Sequence, residues 1–223
     1  MTSGIKIALK SQIAKGFVLD GNIFFLKGFN LTSQDNKILV RAMEHTFDLN
    51  INLELYYIFN FKKYSYKSVY LFGENQKKSV GSFVGGLATG LVNFGTKNPL
   101  FETANDENKI LDFRSINALT VSILGGYMHT FVFGKEKRWY LNGAAYIGPN
   151  IHIGSSSFYR DKETEGFLNV GFNFKYKFSF GHNFEKASLR VYSGGSFISY
   201  RPSKDSFLNN NIPEIKLAYI YKF

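Results

Sequence analysis

Asn150, His152, Ser155 and Ser156 are the side-chain types that an acyl-transfer centre uses, and they stand within seven positions of one another. A serine hydroxyl whose proton is taken by an imidazole, with an amide to hold the ring, is the minimum for nucleophilic attack on an ester. Neighbours in sequence are not a triad, and loops are rich in Ser and Asn for their own reasons. No catalytic residue is therefore assigned, and an enzyme is not expected. The histidines His45, His129, His152 and His182 are scattered without spaced carboxylates, and the chain has no cysteine. Neither a metal site nor a cofactor nor thiol chemistry is expected from such a set. His129 reads as interfacial, His45 and His182 as residues of connections.

Charge offers a second kind of chemistry. Asp48 and Glu54 stand in one alternating segment, and Lys175, Lys177, Arg190, Lys216 and Lys222 in others. With Asn150 and His152 they are candidates to line an interior. Opposed charges there would pair across it and fill it, which is the favoured reading; the other is a narrow, anion-preferring pore. The whole chain carries 27 Lys+Arg against 17 Asp+Glu, a formal charge of +10. Such a balance suits nucleic acid or an anionic membrane surface. The basic residues, among them Lys6, Lys10, Lys62, Lys63, Lys77, Lys78, Lys135 and Lys137, are dispersed, so they read as solvated surface and no nucleic-acid partner is expected.

The elements that must carry these groups are strands. Phe47 to Leu55 alternates apolar and polar residues without a break, and Leu168 to Phe180 repeats the pattern over twice the usual length of a soluble strand. Tyr140 to Gly154 does the same, with Leu141, Ile147, Pro149, Ile151 and Ile153 on one face and Asn142, Tyr146, Asn150 and His152 on the other. A proline inside a ladder calls for a bulge or a strand end near Pro149. Less regular strands fall at about 4–12, 17–29, 65–73, 81–94, 116–133, 187–200 and 215–223. Ser82, Gly86, Ala88 and Gly90 make a small-residue face opposite Phe83, Leu87 and Leu91. Tight connections at Gly134–Arg138 and Gly181–Lys186 alternate with long ones at Thr96–Ser115, Ser155–Glu165 and Arg201–Pro213.

No stretch approaches the ~18–20 apolar residues of a transmembrane helix, but a closed barrel crosses a bilayer with strands of about 9–11. The expected fold is thus all-β, one domain over residues 1–223: an antiparallel up-and-down transmembrane barrel of about ten visible strands, ten to twelve in the whole protein. Its rival is a lipocalin-like soluble barrel with an apolar interior. Ten strands carrying the load of Leu168, Val170, Phe172, Phe174, Tyr176, Phe178 and Phe180 would overfill a small lumen, whereas a bilayer accepts them. The last strand places Ile215, Leu217, Tyr219, Tyr221 and the terminal Phe223 on one face. That pattern resembles the carboxyl-terminal signal read by the barrel-assembly machinery. The expected location is the bacterial outer membrane, with outer-membrane lipid, lipopolysaccharide and that machinery as partners, the long loops outside and the ligand unspecified. Met1 to Lys6 lacks the features of a signal peptide, so the start of an exported protein, and with it a first strand or more, is expected to be missing.

From Tyr57 the chain runs Tyr-Ile-Phe-Asn-Phe-Lys-Lys-Tyr-Ser-Tyr-Lys-Ser-Val-Tyr, and later Glu74-Asn-Gln-Lys-Lys-Ser-Val-Gly-Ser-Phe83. An Asn-ending strand, a Ser-Tyr-basic segment and then Gln, Ser, Gly and Ser opening the next strand resemble the core motif of the domain-of-unknown-function 4421 family. Asp20 with Lys27-Gly28-Phe29 and Gly125-Gly126-Tyr127 are similar to its flanking strands. Lys67-Ser68 departs from the Arg-Ala-like pair of that pattern. The resemblance implies an outer-membrane barrel of Bacteroidetes-type bacteria and no particular reaction. Function is therefore expected to be that of a structural or surface-binding barrel, with a narrow small-solute channel as the alternative; a lipid-modifying enzyme or a soluble carrier ranks lower.

Overall fold

The structure, a computed structural model, describes residues 3–31, 41–71, 76–97, 113–134, 136, 138–158, 164–185, 187–203, 206–211 and 214–221. Period-two alternation becomes long antiparallel strands: β1 (Ser3–Ala14), β2 (Phe17–Leu31), β3 (Arg41–Ile58), β4 (Val80–Gly95), β5 (Phe113–Phe133), β6 (Trp139–Phe158), β7 (Thr164–Asn183), β8 (Ala187–Ser203), β9 (Ser206–Asn211) and β10 (Glu214–Tyr221). Each pairs with the next from β1 to β8, and β10 and β9 share the far side of β8. The sheet curls on itself, so that Lys177 on β7 reaches Asp20 on β2. Among the described residues β1 and β10 share no ladder, and the sheet is an open, curled half-barrel rather than the closed ring expected.

β9 and β10 are two pieces of one ninth strand. Phe197 opposes Asn211 and Gly194 opposes Glu214, which is one register carried past Ile212-Pro213, and a proline has no N–H for a ladder. The long connection expected over Arg201–Pro213 is thereby corrected to a hairpin, because β8 continues to Ser203 and β9 begins at Ser206. Ser155–Glu165 is likewise mostly strand, and β7 extends to Asn183 beyond the expected turn at Gly181. His45 lies in β3 and His182 in β7, not in connections. Of Thr96–Ser115, residues 98–112 lie outside the described residues, as do Lys222 and Phe223.

Pro149 neither ends nor bulges β6. Its pairing with β7 runs through at Pro149–Phe172, while the ladder to β5 keeps its register and skips only Ile123 and Leu124. The missing N–H is absorbed as a gap in one ladder. Gly148 allows this approach: a Cβ there would stand 1.7 Å from the Ile123 carbonyl oxygen.

The expected strand at 65–73 is the largest correction. The chain turns at Asn60, whose carbonyl accepts from the Lys63 and Tyr64 N–H groups at 3.0 and 2.9 Å, and then forms a single π-type helical turn at Lys67–Leu71. This segment lies inside the curl. Tyr64, Tyr66, Val69 and Tyr70 form one buried cluster with Val18, Tyr56, Ile58, Val84, Leu124, Met128 and Tyr146 of the surrounding strands.

The sheet has two unlike ends. The connections after β1, β3, β5 and β7 and the carboxyl-terminal end of β10 lie at the turn end; those after β2, β4, β6 and β8 lie at the loop end. Polarity across the sheet is inverted relative to a soluble barrel. Val170, Phe172 and Ile215 on the outer face are 77, 70 and 80% exposed, whereas Asn50, Ser122, Asn142, Asn150, Asn173 and Ser179 are buried on the inner one.

Candidate functional site

Inner-face alternation aims every second side chain of each strand at the space inside the curl, and the Phe59–Leu71 segment fills that space at the turn end. The segment is held by polar bonds as well as by packing. Arg190 on β8 is wholly buried and donates from Nη1 to the carbonyls of Ser68 at 2.6 Å and Val69 at 3.5 Å. Its Nη2 donates to Asn183 at 3.3 Å, and its guanidinium lies 5.1 Å from the Tyr140 ring centroid. The Tyr192 hydroxyl donates to the Val69 carbonyl at 2.6 Å. On the opposite side Tyr70 donates to Asn142 Oδ1 at 2.5 Å, and Asn142 Nδ2 donates to the Tyr64 oxygen at 2.8 Å. Burial raises the phenols of Tyr64, Tyr66 and Tyr70 above their ordinary value, and Tyr70 keeps the proton that its bond to Asn142 uses.

Residues at the mouth of this plug tie it to β4. The Asn60 N–H donates to Ser82 Oγ at 2.9 Å and its side-chain amide to the Gly81 carbonyl at 3.0 Å. Gln76 accepts from the Ser65 N–H at 2.8 Å and donates to the Lys63 and Lys78 carbonyls. Ser65 Oγ accepts from the Ser68 N–H at 3.1 Å, starting the helical turn as a side-chain cap. The Asn, Ser-Tyr, Gln and Gly-Ser positions of the motif read in the sequence are thus the fastenings of the plug.

Beside the plug, towards the loop end, a cavity of about 170 Å³ is bounded by Tyr70 and Tyr192 and walled by β1, β2, β3, β7, β8 and β10. Two carboxylates stand in it. Asp20 accepts from Lys177 at 2.8 Å and pairs with Lys10 at 3.4 Å; Glu54 pairs with Lys175 and accepts from the Tyr56 hydroxyl at 2.5 Å. The Lys177 ammonium also lies 5.3, 5.9 and 5.7 Å from the ring centroids of Tyr56, Tyr70 and Tyr146, a cation held against aromatic faces. Lys6 and Lys216 complete the basic wall.

Of the interior candidates named from sequence, Glu54, Lys175, Lys177 and Lys216 meet in this cavity. Arg190 is on the inner face but holds the plug. Asp48 is partly buried nearer the loop end and accepts from Asn50 Nδ2 at 2.6 Å. Asn150 and His152 are buried in the wall, where His152 Nδ1 shares a 2.8 Å bond with Thr120 Oγ1 of β5, its direct cross-strand partner. Lys6 and Lys10, read from sequence as dispersed solvated charge, line this cavity as well, Lys6 remaining exposed, because the curl sets β1 across it from β7. Asp20 and the plug tyrosines were missed as site residues, and only the parity of Asp20 opposite Glu54 in paired strands pointed to it. Among the described residues no group of three or more His, Asp or Glu is arranged to hold a metal.

No curated protein and no solved structure matches the chain. The family model of a domain of unknown function (DUF4421) matches residues 5–223, a span that takes in most of β1, the plug motif and β10, and the chain belongs to that family.

Proposed function

We propose that this protein is an outer-membrane β-barrel, closed at its turn end by the Phe59–Leu71 plug, with a structural or surface-binding role and no open pore at rest. The inverted polarity carries the reading: the outer face is apolar and exposed on every strand from β1 to β8 and on β10, while amides, hydroxyls and paired charges face inward. In water so large a continuous apolar surface is a liability; against lipid tails it is the stable arrangement. The Leu168–Phe180 alternation, at ~3.3 Å per residue, measures about 40 Å along the strand and about 30 Å in height once tilted by ~40°, the thickness of a hydrocarbon core.

Two further features support the placement. Aromatic side chains gather on the outer face near the turn end, where Phe17 packs on Tyr57, Phe83 on Tyr127 and Trp139 on Phe180 with ring centroids 4.9, 5.3 and 5.3 Å apart. Amphipathic rings in such a girdle suit the boundary between lipid tails and head groups. Three of the four connections at that end, those after β1, β5 and β7, are tight and share it with the carboxyl terminus of β10, as a periplasmic side requires, although the hairpin between β8 and β9 lies at the other end. The partners of this surface are membrane lipid and, during assembly, the machinery that inserts barrels. A gated small-solute channel is the second reading, favoured by a plug fastened largely through hydrogen bonds that can be exchanged for water.

Cell fractionation tests the placement: the chain, expressed with an export signal, is expected in the outer-membrane fraction and to migrate as a heat-modifiable folded species. Recovery in the soluble fraction overturns it. In a planar bilayer the purified protein is expected to stay silent, and steady conductance without any change to the plug would contradict the closed state.

A further inference from the structure

We infer, on the strength of the membrane placement, that the corner of the turn end where β1, β2 and β3 meet is a docking site for the head group of an anionic phospholipid. The lipid's acyl chains lie against the aromatic rings of the outer face. Residues 14–17 and 59–79, the connections after β1 and β3, carry six lysines and a single carboxylate, Glu74. Of these lysines Lys15, Lys62, Lys63, Lys77 and Lys78 are exposed, and among the described residues their side chains have no ion-pair or hydrogen-bond partner. The carboxylates described elsewhere at this end, Glu136 and Glu185, are both held by Arg138 in the turns after β5 and β7. Positive charge is therefore left over at one corner.

Charge that is dispersed along the sequence is gathered here by the fold. The Ile58 N–H donates to the Gly16 carbonyl at 2.8 Å, which sets the turn between β1 and β2 against the end of β3. Gly16 has a φ of 80°, and a Cβ on it would stand 2.9 Å from both Phe61 Cδ1 and Tyr57 Cε2, so the turn carrying Lys15 lies directly on the residue beside Lys62. Gln76 draws two more together, its Nε2 donating to the carbonyls of Lys63 at 3.1 Å and Lys78 at 3.2 Å. Next to the ammonium groups the outer face begins with rings. Phe17 and Phe59 lie 4.9 and 5.2 Å from Tyr57 between centroids, and Phe59 and Phe83 are 62 and 70% exposed. Bare rings followed within one to three residues by lysines on flexible stems fit the boundary of a leaflet, with the rings among acyl carbons and the ammonium groups among head groups. A zwitterionic head group brings its own ammonium and cancels most of the attraction, whereas an anionic phosphodiester does not. A soluble acidic protein would answer the charge and leave the rings bare, so the lipid is favoured.

Native mass spectrometry of the full chain, folded and released from detergent micelles, tests this by reading the lipid that the chain keeps. Given phosphatidylglycerol and phosphatidylcholine of the same acyl chains in equal amounts, the parent is expected to retain phosphatidylglycerol at least fivefold over its rival. K15Q/K62Q/K63Q is expected to retain the two lipids within twofold of each other, and K15R/K62R/K63R to behave like the parent. K97Q/K109Q/K162Q, which removes the same charge from the connections after β4 and β6 at the loop end, is expected to keep the preference. Equal retention of both lipids by the parent, a preference that survives in a folded K15Q/K62Q/K63Q chain, or an equal loss in the loop-end variant overturns the proposal. A parent that shows no lipid preference yet binds polyglutamate through these lysines also overturns it and assigns the corner to an acidic protein. Heat-modifiable migration reports the folding of each variant; if the triple variant does not fold, K62Q/K63Q, with at least half of the preference expected to be lost, gives the same decision. A chain that fractionates as soluble removes the membrane placement and this site together, whereas a chain found in the outer membrane that ignores phosphatidylglycerol overturns the site alone.

Discussion

Arg190 concentrates the problem that a polar interior poses. A guanidinium wholly shielded from solvent is costly unless its donors are used, and here two backbone carbonyls of the plug, the Asn183 amide oxygen and the Tyr140 ring receive it. Replacing it with methionine keeps most of the volume and abandons the carbonyls of Ser68 and Val69, at a cost of ~1–3 kcal/mol for buried acceptors left unpaired. Because β8 pairs with β7 and β10 through its backbone, the sheet should survive. R190M is thus expected to remain heat-modifiable yet show flickering conductance in a planar bilayer, where the parent is expected to be silent. An equally silent R190M would remove Arg190 from the fastening of the plug. The parity of such residues was legible from alternation, which set Glu54, Asn150, His152, Lys175, Lys177 and Arg190 on the inner face. Their partners were not. Alternation says which side a residue faces and nothing about which distant strand lies opposite, so the meeting of Lys177 with Asp20, 157 positions away, needed the curl of the sheet. His152 illustrates the converse: beside Ser155 and Ser156 in sequence it suggests catalysis, yet it bonds sideways to Thr120, because residues two apart on a strand share a face while adjacent strands supply the nearest polar atoms. His152→Ala is expected to leave phospholipid hydrolysis at its background level while costing ~1–3 kcal/mol in urea unfolding for the abandoned Thr120 hydroxyl.

Strands were more legible than the element between them. Nine segments of period two became strands, whereas Tyr64, Ser65, Tyr66, Lys67, which alternates until Ser68 breaks the pattern, became an irregular stretch and a helical turn. Over five to nine residues the two periods cannot be separated, since Tyr66 and Tyr70 satisfy both the even-numbered face of a strand and the i,i+4 face of a helix, where their rings now meet at 4.6 Å. Local chemistry decided the outcome: the Ser65 cap and the clamp of Gln76 give this backbone partners that a strand would have sought in a ladder. Room for the plug comes from glycines on the inner face. A Cβ on Gly86 would stand 2.5 Å from the Tyr56 ring, and one on Gly126 2.8 Å from the Tyr146 ring and 2.3 Å from the Ala145 carbonyl oxygen. Each glycine sits directly opposite its tyrosine in the ladder, so the ring lies flat over the missing side chain. Gly126→Val should therefore overpack the interior and lower stability by ~1–3 kcal/mol. Gly143→Ala, where nothing lies within 4 Å of the added carbon, should be neutral in the same urea titration. Equal losses at both positions would show that the packing of the Tyr146 ring over Gly126 does not set the effect, since strand propensity alone favours both replacements.

At the scale of the whole molecule, strand parity and polarity make separate demands. Among the described residues nine strands in up-and-down order leave β1 and β10 running in the same direction, so these strands can close into a ring by themselves only through a parallel ladder. A bilayer demands some such closure, because unpaired N–H and C=O groups of a lipid-facing edge cost several kcal/mol each. The sequence expectation of a closed ring rested on that demand; the count of nine became visible only when β9 and β10 proved to share one register, which a proline between them disguised as a long loop. Parity also fixes orientation. If the turn end with its aromatic girdle faces the periplasm, then every connection after an even-numbered strand from β2 to β8 faces outward, including 98–112 between β4 and β5. An epitope tag inserted at 104–105 should be reached by antibody on intact cells, and the same tag placed in the turn between β7 and β8, at 185–186, only after the outer membrane is permeabilised. The reverse pattern would invert the molecule in the membrane, and labelling of both sites on intact cells would mean that the apolar face meets something other than a bilayer, which the inward-facing amides and charges give no other reason to expect.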